Sequence, residues 1–263
     1  MVDQTEQHEA KTLQQLQELH NSGSIRWLRR DKPSIPAAMN AGLLEAKPGI
    51  VLFLDDDIRP DYDLLAAHRR AQAAQPGLVA GQVLQPGEIP VALAPRDRFR
   101  FNSSTSATIH EFMGGNFSIP KDYALNVGGF DENFVGAAYR FEAEFAFRYI
   151  RRYGSIRFEP AASIHHLQAT AGGTRAHGHH LRTAKSSHSV GAYYYWLRTR
   201  EPQWWWKIAL RPLRSIRTRH HLRRPWWIPL TLIAEIRGFT KAIYLAFTGP
   251  KYVRITRMLD AND

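Results

Sequence analysis

Apolar residues at helical intervals alternate with short unbroken apolar runs through the first two thirds of the chain. Leu13, Leu16 and Leu19 recur on one helical face, after Thr5, which can cap a helix, and before the stop "NSG". "IRWL" (25–28) reads as a short strand. "SIPAAMNAGLLEAK" (34–47) reads as a helix with Ser34 at its cap and "PG" closing it. An apolar run at 50–54 and "LVAGQVL" (78–84) are strand candidates, and the Arg/Asn/Ser-rich stretch 95–110 is a loop. "EFMGGNFSIP" (111–120) suggests a strand broken by glycines. The stretch 138–154 predicts a helix with Phe141, Phe145 and Tyr149 on one stripe and a glycine stop. Residues 155–167 suggest two short strands around a proline, and 170–180, which has no apolar period, reads as a loop. This alternation predicts an α/β fold with a mostly parallel sheet flanked by helices.

The 263 residues, 44% of them hydrophobic, suffice for one large domain with a core. There is no cysteine, so disulfide frameworks and thiolate metal sites are excluded. The net charge of +11 is unevenly placed: residues 1–180 hold 19 Lys/Arg and 20 Asp/Glu, whereas residues 181–263 hold 16 and 4. The basic end also carries six of the seven tryptophans, in "YYYW", "WWW" and "WW". Two regions are therefore expected, a near-neutral body at 1–180 and a helical, basic, aromatic tail at 181–263. The first residues lack the pattern of a secretory signal. The apolar segment 228–249 carries Glu235, Arg237 and Lys241 near its middle, which suits a membrane-surface helix better than a span.

Three carboxylates, Asp55, Asp56 and Asp57, follow the apolar run at 50–54. They repel one another unless a cation neutralises them, and an oxygen-only set at a strand end suits Mg2+ or Mn2+ bridging a substrate's phosphates. Ligands of α/β sheets gather at the carboxyl ends of strands, where these residues are expected. Capping of the next turn explains one of the three readily and all three poorly.

The block "PSIPAAMNAGLLEAKPGIVLFLDDDIRPD" resembles the donor-binding half of the family-two glycosyltransferases of GT-A fold, with a D-x-D-type motif at its strand end. "FMGGNFSIPKDYALNVGGFDENFVGAAYRFEAEFAFR" is similar to that family's acceptor half, and "ASIHHLQATAGGTR" to its closing strand and loop. The resemblance implies metal-dependent transfer of a sugar from a nucleoside-diphosphate donor to a hydroxyl acceptor, with inversion. It places the metal on Asp55, Asp57 and His166, with His166 touching either metal or diphosphate, and Asp56 at the ribose or sugar. Glu142 becomes the general base, ahead of Glu144, because an alcohol is a poor nucleophile until its proton is taken. Asp3, Asn40 and Arg175 are implied donor contacts. Gly114 and Gly115 would let the backbone approach the sugar, with Asn116 as a hydrogen-bond donor. His165 and the group His177, His179 and His180 are set aside as structural or solvated.

The family begins with a strand that contacts the nucleobase, followed by one ending in an acid. This chain opens at "MVDQT", similar to the end of that second strand, so the first strand is expected to be missing from the sequence as given. Residues 198–224, with nine Lys/Arg and one acid, suggest peripheral contact with the inner face of a membrane, near a saccharide or lipid-linked acceptor used in cell-surface polysaccharide or glycolipid synthesis. A cytoplasmic location is expected. The competing classes are a protein that binds nucleic acid or an anionic membrane without catalysis, and a sugar-nucleotide hydrolase. Nucleic acid binding leaves the acidic strand end unexplained.

Overall fold

A computed structural model describes residues 1–94, 98–169 and 180–253. At its N-terminal end β1 (Val2–Asp3) lies parallel to β2 (Leu28–Arg29) in a small two-stranded sheet, with α1 (Ala10–Asn21) between them. Thr5 does not cap that helix: it donates its N–H to the Asp3 carboxylate, and Glu9 occupies the cap position. Helix α2 (Ile35–Glu45) starts as its sequence dictates, with the Ser34 hydroxyl accepting from the Ala37 N–H and Pro36 in the first turn.

The main sheet contains β3 (Ile50–Leu54), β4 (Ile58–Pro60), β5 (Val79–Leu84), β6 (Ala107–Ile109), β7 (Asn116–Pro120) and β8 (Ile156–His166). The strand order is β3-β7-β5-β8-β4, and β6 pairs with β8. The β5–β8 ladder is parallel, while β3–β7, β5–β7, β4–β8 and β6–β8 are antiparallel. The α/β layering is thus present, but antiparallel ladders outnumber parallel ones among the described residues. Strands β6 and β7 follow one another without the helix that a parallel crossover needs. The proline in β8 does not split it into two strands. Glu159 pairs with Gly81 and Ser163 with Gln82, so Pro160, Ala161 and Ala162 are looped out at a bulge that absorbs the missing N–H.

Helix α3 (Leu64–Ala74) packs on β8, and α4 (Lys121–Asn126) follows directly from β7. The core is aromatic: Phe53 stacks on Phe117 at 4.7 Å, and Phe130 stacks on Phe145 at 4.5 Å. Phe145 belongs to α5 (Phe141–Tyr153), whose predicted stripe of Phe141, Phe145 and Tyr149 is buried as its spacing requires.

The C-terminal helices are α6 (Ser189–Thr199), α7 (Trp204–Ile216), α8 (Arg219–Arg223) and α9 (Ile228–Thr248). Helix α6 is no tail: Tyr193, Tyr194, Tyr195 and Trp196 are buried in the same core as Phe117 and Phe145. Each tyrosine hydroxyl finds a carboxylate, Tyr193 on Glu235, Tyr194 on Asp131 and Tyr195 on Glu201, at 2.6–2.7 Å. "YYYW" is therefore core sequence, whereas Trp205, Trp206 and Trp226 are exposed. Among the described residues no helix is long and apolar enough to cross a membrane.

Candidate active site

Strand β3 ends where β7 begins, since Leu54 pairs with Asn116 and the Asp55 N–H donates to the Gly115 carbonyl at 3.3 Å. A side chain at residue 115 would collide with the first aspartate: a Cβ built there lies 2.2 Å from Asp55 Oδ2. Gly115 thus makes room for a carboxylate. The neighbouring Gly114 donates its N–H to Glu142 Oε1 at 3.3 Å, so the glycine pair touches both acids of interest. That role lies in making space and donating from the backbone, which the "GG" motif signals in sequence.

Asp57 is oriented by two contacts: its Oδ2 accepts from the Ala169 N–H at 3.0 Å, and its Oδ1 lies 3.2 Å from His166 Nε2. Antiparallel pairing of β4 with the end of β8 brings His166 to this position, opposite Ile58. The other ring nitrogen, Nδ1, is 3.0 Å from Gln85 Oε1, which also accepts from Gln168 Nε2. An amide oxygen only accepts, so the neutral ring carries its proton on Nδ1 and turns the Nε2 lone pair towards Asp57. With Nε2 unprotonated, a cation placed between it and the Asp57 carboxylate would be held by both. The side-chain donors of Asp55, Asp57 and His166 all lie within 4.8 Å of one another. Two carboxylates and one imidazole fit a divalent ion of the Mg2+ or Mn2+ type. Gln85 was not legible as part of this group, because nothing in "LVAGQVLQ" separates its last residue from an ordinary strand end.

Glu142 stands in the first turn of α5, next to a tight turn in which Ala138 and Arg140 adopt left-handed backbone conformations, with φ of 50° and 71°. Such conformations cost about 1–3 kcal/mol each for residues other than glycine and gather where geometry serves function. Burial pushes the Glu142 carboxyl up to about 7, against hydrogen bonds from its own N–H and that of Gly114, with the charges of Asp55 and Glu111 adding to the rise. Glu144, the alternative base, is 2% exposed and held by Arg148 through both oxygens, at 2.8 and 2.7 Å. Arg148 also donates to the Val127 and Gly129 carbonyls, so Glu144 anchors the loop before α5.

Several expected donor contacts lie elsewhere. Asn116 is fully buried: its amide donates to the Gln82 and Ala162 carbonyls, and its oxygen meets His68 Nε2 at 3.0 Å. The motif expectation is corrected here, since an amide spent on the sheet's interior has no donor left for a sugar. Asn40 is likewise corrected: at 2% exposed, it bonds the Phe130 N–H and carbonyl and Glu132, tying α2 to the loop before α5. Asp3 is buried on the separate β1–β2 sheet, receiving bonds from the Thr5 N–H, His8 and Trp27 Nε1. Although burial raises its pKa, those bonds prevail and hold it down at about 2. Asp56 is exposed beside Asp55 and Asp57, and outside the three-residue donor cluster. Arg175, with Gly172, Gly173, His177 and His179, lies outside the described residues. His165 sits near Asp61, at 3.4 Å, away from the cluster.

No family model matches the sequence, and no curated protein matches it. Among solved structures the chain is similar to GalNAc-T7, solved with UDP, GalNAc and Mn2+, at a TM-score of 0.50 and 16% identity over 63% of this chain and 36% of that one. It is also similar to residues 1–349 of S. aureus TarS, at a TM-score of 0.51 and 13% identity over 89% of this chain and 80% of that one. This chain spans about a third of the GalNAc-T7 structure. The shared architecture is the GT-A glycosyltransferase fold.

Proposed function

We propose that this protein transfers a sugar from a nucleoside-diphosphate donor to a hydroxyl acceptor in a metal-dependent, inverting reaction. The observation that carries the reading is a divalent-metal donor set, Asp55, Asp57 and His166, at a strand end electrostatically coupled to a carboxyl whose pKa lies near neutrality. The GalNAc-T7 neighbour, solved with UDP, GalNAc and Mn2+, supports that donor chemistry. Asp55, Asp57 and His166 would hold the ion. Its positive charge would bind the donor diphosphate and offset the charge left on it as the sugar departs.

The chain's own residues supply the rest. Glu142, with a pKa of about 7 and Gly114 bonded to its Oε1, is proposed to accept the acceptor's hydroxyl proton. Gly115 keeps the Asp55 carboxylate in place, and Gln85 fixes the His166 ring so that Nε2 faces the cluster. Inversion requires a single base, and Glu142 is the carboxyl proposed for that role. Asp56 and Arg175 remain proposed contacts for the sugar nucleotide.

The exposed tryptophans Trp205 and Trp206, among the nine Lys/Arg of residues 198–224, and Trp226 just after them support peripheral contact with an anionic membrane where a cell-surface or lipid-linked acceptor is made. The test is product analysis with a panel of sugar nucleotides and Mn2+. Transfer to saccharide or lipid-linked acceptors is expected, whereas free sugar formed equally with and without acceptor would make the protein a hydrolase.

A further inference from the structure

A cavity of about 500 Å³ opens between α6, α7, α9 and the segment leading into α6. Its lining joins two kinds of chemistry. Lys185, Arg211 and Arg214 supply positive charge against a single carboxylate, Glu235, while Tyr139 and Trp196 supply aromatic surface. Glu235 is already engaged: the Tyr193 hydroxyl donates to it at 2.7 Å, and Arg211 Nε lies 2.9 Å from the same oxygen. Lys185 and Arg214 form no ion pair among the described residues, and both are exposed. His180 and His188, with ring centroids 5.6 Å apart, also line the cavity and can donate hydrogen bonds to an anion.

One wall of the cavity is continuous in sequence with the start of α5. Tyr139 stands three residues before Glu142 in the tight turn that starts α5, and the Arg140 guanidinium lies over the Tyr139 and Trp196 rings at 5.6 and 5.4 Å. On the outer side, α7 begins with the exposed Trp205 and Trp206 and carries Arg211 and Arg214 along the same helix.

We propose that this cavity seats the phosphate of the acceptor, with Lys185 and Arg214 as its charge contacts and Tyr139 and Trp196 against the neighbouring apolar or sugar portion. The volume suits a phosphate with a short appended group. Unpaired cations over an aromatic floor favour an anion with a nonpolar neighbour over a neutral saccharide. The proposal rests on the transferase reading, because it assigns the occupant as acceptor.

Two probes separate the sources of such a phosphate: citronellyl phosphate for a lipid-linked acceptor and ribose 5-phosphate for a soluble one. Each is titrated calorimetrically into the full chain and into a Lys185→Ala/Arg214→Ala variant. Both residues are exposed, so the variant should melt at the wild-type temperature. Binding of either probe, weakened at least tenfold in the variant, is expected. Preference for citronellyl phosphate would assign a lipid-linked acceptor, and equal binding a soluble phosphosaccharide. Failure of both probes to bind, or equal binding to wild type and variant, would overturn the proposal. Nucleoside-diphosphate binding with Mn2+, measured in parallel and expected to be unchanged, reports on the transferase site separately.

Discussion

A carboxyl that must take a proton near neutral pH has to be less acidic than a solvated glutamate, and Glu142 reaches that state through burial and the nearby charge of Asp55. Replacing it by Gln should lower transfer about 10²–10⁴-fold, as steady-state kinetics would show, with donor binding preserved. Below pH 7 the wild-type rate should fall about tenfold per unit as the base is protonated. A cation on Asp55 removes part of the rise, so the acid limb should move to lower pH when metal is saturating. Stability carries the opposite sign: the folded state holds the Glu142 proton more tightly than the unfolded one, so stability drains between the ordinary value of 4.5 and about 7 as pH rises. Glu142→Gln should therefore melt higher than wild type at pH 8 and show no such advantage at pH 4; equal gains at both would contradict the assignment. Gly115→Ala tests the metal side alone. Its methyl would press on the Asp55 side chain from Cβ to Oδ2 and force that carboxylate to move, so Mn2+ affinity should fall about 10–100-fold, an amount typical of losing a ligand's support.

Elements show where sequence was and was not informative. The acidic end of β3, the capped α2 and the apolar stripe of α5 follow from local rules, and each is found close to where its pattern puts it. Asn40 and Asn116 were misread because a motif records which residues recur, whereas their amide bonds join positions 90 and 34–48 residues apart, which no local pattern reveals. Asn40→Ala should consequently lower stability by about 1–3 kcal/mol in a denaturant titration and leave the donor KM unchanged, because it strands buried partners on Phe130. The aromatic run in α6 was misplaced for a related reason. Its tyrosines look amphipathic in sequence, but the carboxylates that satisfy their hydroxyls come from Asp131, Glu201 and Glu235, distant or beyond the helix. Burial beside those carboxylates raises all three tyrosine pKa values, which marks them as core residues.

At the scale of the whole molecule, a near-neutral body carries an acidic cluster, Asp55 to Asp57, at the end of β3, while the C-terminal helices present cations and exposed tryptophans. If α7 and the following turn meet a membrane, replacing Trp205, Trp206 and Trp226 with Ala should reduce flotation with anionic vesicles and leave nucleotide binding intact. The central claim concerns Asp55, Asp57 and His166, and the most direct test is calorimetric titration of UDP and GDP into the full chain with and without Mn2+, for wild type and Asp57→Asn. The account predicts that at least one nucleotide binds only when Mn2+ is present, and that Asp57→Asn weakens this binding at least tenfold without unfolding the protein. Binding that ignores both the metal and the substitution would contradict it.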